Sequence, residues 1–163
     1  MSNLRAPESP VPGTGRRFAV VAARFNAEVV DKLVDGALAA FGRHGVAPGD
    51  VEVLRVPGAW EIPQALALVA RSGEFDAFVA LGAVIRGDTP HFDFVAAECS
   101  RGVARVAAES RKPVAFGVLT CDTLEQALDR AGGVAGNKGD EAALAALEMA
   151  DLFARVEGRE QPR

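Results

Sequence analysis

The chain has 163 residues, 49% apolar and 25% charged, which suits one domain with a full hydrophobic core. A net charge of −4 gives no reason to expect nucleic acid or an anionic membrane as partner, and no apolar run approaches the roughly 20 residues of a membrane helix. Histidine occurs only at 44 and 91 and lysine only at 32, 112 and 138, so histidine-cluster mechanisms are excluded and lysine mechanisms have three candidates.

Residues 1–16 hold three prolines and two glycines with no apolar periodicity, and read as a flexible arm. They lack the apolar core of a secretory signal. Cys99 and Cys121 lack metal-ligand spacing and read as free thiols in a reducing cytoplasm. "RFAVVAARF" (17–25) is a continuous apolar run, a buried strand. Asn26 follows as a predicted N-cap, and the next helix shows apolar spacing at Val30, Leu33, Val34, Ala37, Leu38 and Phe41. Gly45 ends it. His44, in its last turn, suits the negative helix end and reads as a terminus residue.

A second strand spans 50–58, a helix 61–73, a third strand 75–86, a long helix 89–111 and a fourth strand 112–120. A short helix over 122–132 and a long one over 137–158 complete a single domain of residues 17–158, with 159–163 as a tail. The strands are continuous rather than alternating apolar runs, so both faces of the sheet should be covered. That predicts an α/β domain of three αβα layers, with a four-stranded parallel sheet and helices on both faces.

Ligands of such folds bind beyond the carboxyl ends of the strands, so the strand-to-helix turns are the places to inspect. In "VIRGDTPHF", Thr89 is placed to cap the helix and Pro90 to occupy its first position. Gly87 lets the backbone bend toward a ligand, and the free N–H groups near Asp88, Thr89 and His91 form an anion site suited to phosphate. His91 admits two readings: a packed residue bonded to backbone, or a proton carrier beside that site. Phe25 and Trp60 are either core or a platform for a flat heterocycle. Glu61 opens a helix, where the dipole favours a carboxylate. Phe116 is assigned to the fourth turn. Arg130 is either a dipole partner at a helix end or a fork onto phosphate. "GNKG" (136–139) places Lys138 in a flexible turn.

Several standard sites are missing. "GTGRRF" (13–18) precedes the first strand, whereas a dinucleotide loop must follow it. Neither GxxxxGK[ST] nor GxSxG occurs, and no zinc spacing exists. Lys32 lies within a helix and Lys112 at the wrong end of a strand, which leaves Lys138 as the one Schiff-base candidate.

"AARFN", "VPGAWEIP", "GAVIRGDTPHFDF", "KPVAFGVLT", "TLEQALDRAG" and "GNKGDEAALAALEMADLF" together resemble the 6,7-dimethyl-8-ribityllumazine synthase family over about residues 17–156. The resemblance implies a flavodoxin-like domain. It also implies a transferase of riboflavin biosynthesis that condenses 5-amino-6-(D-ribitylamino)uracil with 3,4-dihydroxy-2-butanone 4-phosphate, without metal or cofactor. By the same resemblance Phe25 stacks on the pyrimidine, and Ala59, Trp60 and Glu61 hold the ribityl chain and ring edge. Ala83, Val84 and Ile85 offer backbone to the ring, Asp88 and Thr89 bind phosphate, and His91 transfers protons. Phe116 lies near the pyrimidine, Arg130 grips the phosphate from a neighbouring subunit's side, and Lys138 is a secondary ligand. The resemblance further implies pentamers with sites between subunits, twelve of which form an icosahedral capsid in some members. One departure is Gly133-Val134, where the family commonly has threonine-lysine. It removes a charge near Arg130 and predicts a looser loop.

The final helix carries Ala142, Ala143, Leu144, Ala145, Ala146, Leu147, Met149, Ala150, Leu152 and Phe153. This apolar surface is too wide for one core face and is compatible with an oligomer.

Overall fold

In the computed structural model the described residues are 11–160; residues 1–10 of the expected arm and 161–163 of the expected tail lie outside them. Strands β1 (Phe18–Ala23), β2 (Val51–Val56), β3 (Ala77–Ile85) and β4 (Val114–Cys121) form one parallel sheet in the order β2-β1-β3-β4. That order is flavodoxin-like.

Alternate residues of β1 serve opposite cores. Phe18, Val20 and Ala22 face helices α1 (Ala27–Arg43) and α5 (Lys138–Glu160). Ala19, Val21 and Ala23 face α2 (Ile62–Ala70) and α3 (His91–Ser110). With both faces covered, every residue of β1 is buried, which is why the strand is apolar without a break. The short α4 (Leu124–Asp129) lies on the α1/α5 side through Ala127. Gly45 and Gly73 close α1 and α2 with φ of 82° and 71°, the left-handed conformation glycine adopts without strain.

Several local expectations are corrected. Asn26 does not cap α1 through its side chain; it sits left-handed at φ 60°, and its amide reaches across the sheet instead. Thr89 does not cap α3 either. Pro90 occupies the N-cap position, and no side chain caps that helix. Helix α4 is shorter than predicted because residues after Asp129 turn back as a small antiparallel pair, β5 (Ala131–Gly133) with β6 (Gly136–Asn137). Lys138 therefore begins α5 rather than lying in a flexible turn. Residues 11–16 run along the body: Gly13 N donates to His44 O (2.7 Å), and Arg16 bonds Ala150 O and Asp151. His44, as expected, stands at the end of α1, where its ring meets Val11 O at 3.0 Å.

The α1/α5 contact is close. A Cβ on Gly139 would collide with the Leu33 carbonyl, and one on Gly36 with the Asn137 side chain. Asn137 Oδ1 accepts from Gly139 N (2.8 Å) and Asp140 N (3.1 Å), while its Nδ2 donates to Lys32 O (3.0 Å). One amide thus caps α5 and ties it to α1.

Candidate active site

Strand β3 is longer than β1. Their pairing ends at Ala22↔Leu81 and Ala23 lies beside Gly82, so residues 83–85 of β3 project past β1 while remaining paired to β4 through Ile85↔Cys121. The notch above β1 is the point where chain connections diverge to β2 on one side and β3 on the other, the usual ligand crevice of this architecture.

Three turns enclose the notch. Backbone bonds continue the β1–β2 ladder beyond the strands, from Arg24 N to Val56 O (2.8 Å) and from Phe25 N to Pro57 O (3.0 Å). Phe25 is left 71% exposed at the base of the notch. Asn26 Nδ2 donates to Ala83 O (2.8 Å), which binds the end of β1 to the overhang. Ala83 thus has its carbonyl already engaged, while Val84 is buried and Ile85 half-buried beside it. A 3-10 turn over Ala59–Glu61 forms the second wall. Glu61 Oε2 accepts from Gly58 N (3.0 Å), closing that turn, with Ala59 buried and Trp60 50% exposed.

The third turn, 87–90, leads into α3, and each of its residues is exposed. Gly87, Asp88 and Thr89 take part in no hydrogen bond among the described residues. His91 is exposed at the first position of α3 and its imidazole has no hydrogen-bond partner among the described residues, so it is not a packed histidine whose ring is bonded to backbone. The backbone N–H groups here are free to receive an anion at a helix start.

The chain brings Phe25, Ala59, Trp60, Glu61, Ala83, Val84, Ile85, Asp88, Thr89 and His91 to this end of the sheet. It sets Phe116 apart. That ring lies within β4, opposite Ala80, and not in the fourth turn as expected. It is five residues short of Cys121, about 16 Å down the strand at roughly 3.3 Å per residue. Because β4 is the sheet edge, the ring is 46% exposed on the side of the domain. Arg130 and Lys138 lie on the α1/α5 side, opposite α3. Arg130 bonds Gln126 O (3.0 Å), and its carbonyl accepts from Lys138 N (2.8 Å); Lys138 Nζ pairs with Glu141 (2.8 Å). The Gly133-Val134 loop is closed by the β5–β6 pairing and by Ala135 N to Asp129 O (2.9 Å).

Sequence reasoning missed two side chains that bridge segments at this end of the sheet. Asn26 was assigned to capping, and only its left-handed backbone reveals the bridge to Ala83. Arg86 follows the overhang, and hydrogen bonding to Asp122 raises its pKa further. Neither cysteine offers a thiolate: burial pushes Cys99 up to about 11, and burial also raises Cys121, partly offset by the Arg130 charge. Among the described residues no cluster could hold a metal ion, and no helix is long and apolar enough to cross a membrane.

The family described as 6,7-dimethyl-8-ribityllumazine synthase matches residues 15–154. A relative from Aquifex aeolicus (strain VF5), named 6,7-dimethyl-8-ribityllumazine synthase, is 53% identical over 146 residues, covering 90% of this chain and 95% of its own. The match spans all three notch-lining turns and the α4–α5 segment, and with it the chain belongs to the 6,7-dimethyl-8-ribityllumazine synthase family.

Proposed function

We propose that the chain makes 6,7-dimethyl-8-ribityllumazine at this notch, from 5-amino-6-(D-ribitylamino)uracil and 3,4-dihydroxy-2-butanone 4-phosphate, as a step of riboflavin biosynthesis. The observation that carries the site assignment is the β3 overhang above Phe25, standing beside an unbonded helix-start turn that ends in His91.

The pyrimidine lies on Phe25, its edge read by backbone of Val84 and Ile85, with Ala59, Trp60 and Glu61 along the ribityl chain. Its own amine attacks the ketone and loses water, so no enzyme lysine is needed. A proton leaves the carbon beside the imine as phosphate is expelled; the resulting enol becomes a ketone. The ribityl-bearing nitrogen then closes on that carbonyl with loss of a second water. His91 accepts and returns the proton. The N–H groups at Asp88 and Thr89 hold the phosphate. The balance requires neither metal nor redox cofactor.

Phe116, Arg130 and Lys138 complete the site of a neighbouring copy. Phe116 lies two strands away from β1 and about 16 Å below the end of its own strand, so it is assigned to the ring bound by a neighbouring copy. Exposed Phe25, Trp60, Leu68, Phe94 and Phe116 support an oligomer, as do Met149 and Leu152 on the outer side of α5. We take a homopentamer as the unit, with a twelve-pentamer capsid as its higher assembly; sedimentation separates these from a decamer by mass. Residues 17–158 form the catalytic domain, and the free thiols fit a cytoplasmic enzyme.

Mixing both substrates with the enzyme should produce lumazine fluorescence well above the spontaneous condensation. No acceleration would leave a non-catalytic lumazine- or flavin-binding shell protein as the second reading. A riboflavin mass in the product would indicate a different reaction.

A further inference from the structure

Residues 87–89 of the turn make no hydrogen bond among the described residues, yet the two ends of the turn are joined. The Arg86 guanidinium returns over the turn to the start of α3. Its Nη1 donates to Asp93 (3.4 Å) and its plane lies 4.4 Å from the Phe92 ring centre. Its Nε donates to Asp122 in the next turn (2.9 Å), and its backbone N donates to Cys121 O (2.9 Å). One planar group therefore meets two carboxylates and a ring drawn from two turns. The three charged side chains are substantially exposed, at 45%, 61% and 67% for Arg86, Asp93 and Asp122, while Phe92 is half-buried. Exposed ion pairs add little to stability, so the fold does not account for such an arrangement.

We propose that Arg86 is a positioning residue that clips the two ends of the 87–90 turn together and anchors them to β4, holding the turn in the shape that receives phosphate. This rests on the reading of 87–89 as the phosphate cradle. Arg86 itself acts through the turn.

The competing explanation is the charge of Arg86 acting on phosphate at a distance. The two differ in sign at Asp122. As a bare negative charge near the cradle, Asp122 weakens phosphate binding, and Asp122→Ala would lower the KM of the butanone phosphate. As the anchor of the clip, its loss raises that KM.

Steady-state kinetics on the assembled enzyme should show Arg86→Gln raising the butanone phosphate KM on the order of 10-fold, with the ribitylaminouracil KM unchanged. Arg86→Lys should fail to restore it, since an ammonium cannot meet both carboxylates and the ring. Asp122→Ala should raise it by a similar factor, and the double variant no further, because both act through one contact. Rescue by lysine, a lowered KM in Asp122→Ala, or an unchanged KM in Arg86→Gln would each overturn the clip.

Gly87→Val separates this outcome from the site assignment. A Cβ there meets nothing within 4 Å, so the variant crowds only an incoming ligand. A raised KM in Gly87→Val with none in Arg86→Gln removes the clip and leaves the cradle. An unchanged KM in Gly87→Val removes the cradle and the clip with it.

Discussion

Asn137→Ala tests how the α1/α5 face is held. The native amide makes three bonds: Oδ1 caps α5 through Gly139 N and Asp140 N, and Nδ2 reaches Lys32 O. Losing the cap costs about 1 kcal/mol. Losing the tie to α1 costs about 1 kcal/mol more. The side chain also fills the space above Gly36, which alanine leaves empty. The sum is about 2 kcal/mol, or about 4–8 °C in Tm for a chain of this size. Thermal unfolding by circular dichroism should be followed at fixed protomer concentration, since assembly also stabilises. Asn137→Ser keeps a capping oxygen but not the Nδ2 donor, and should lose about half as much. A loss below about 1 °C in the alanine variant, or a serine variant as damaged as the alanine one, would refute the division into cap and tie. Lys138 N holds Arg130 O at 2.8 Å, so the alanine variant should also raise the KM of the butanone phosphate.

Gly139→Ala should destabilise by roughly 3 kcal/mol, because the colliding atom is the Leu33 backbone and cannot turn aside. Gly42→Ala, with open space around it, should be neutral or stabilising by up to about 1 kcal/mol; urea midpoints compare the two. His91→Ala should lower kcat on the order of 10²-fold or less with little change in either KM, and an unchanged kcat would remove its role. Arg130→Ala should raise the butanone phosphate KM about 10- to 100-fold through loss of a charge-assisted bond, while the uracil KM stays put. Burial raises the Cys99 pKa from 9.0 to about 11. Between those values the unfolded chain releases a proton that the native chain keeps, so stability is full below pH 9 and falls as pH rises toward 11. The chain has no tyrosine to titrate there. Urea midpoints at about pH 8 and pH 10.5 should therefore fall less in Cys99→Ala than in the parent; equal slopes would show that Cys99 does not contribute.

Much of the fold was legible because burial on two faces leaves a direct trace. Phe18–Ala23 and Ala77–Ile85 are unbroken apolar runs for that reason, and Gly45 and Gly73 mark helix ends by a backbone shape few other residues accept. Caps were less legible, since Asn26 and Thr89 have good capping chemistry that the backbone does not use. At Asn26 a carbonyl on β3, 57 residues away, takes the amide instead.

By itself the sequence determined the layers, the parallel sheet and the strand-to-helix turns at the carboxyl ends of the strands, all of which follow from local periodicity and backbone chemistry. Only the tertiary structure decided how far β3 overhangs β1, that Arg86 clips the turn beside it, and that Phe116 lies down the edge strand away from its own notch. Strand register and side-chain partners between distant segments depend on packing, and hydrophobic pattern alone does not encode them.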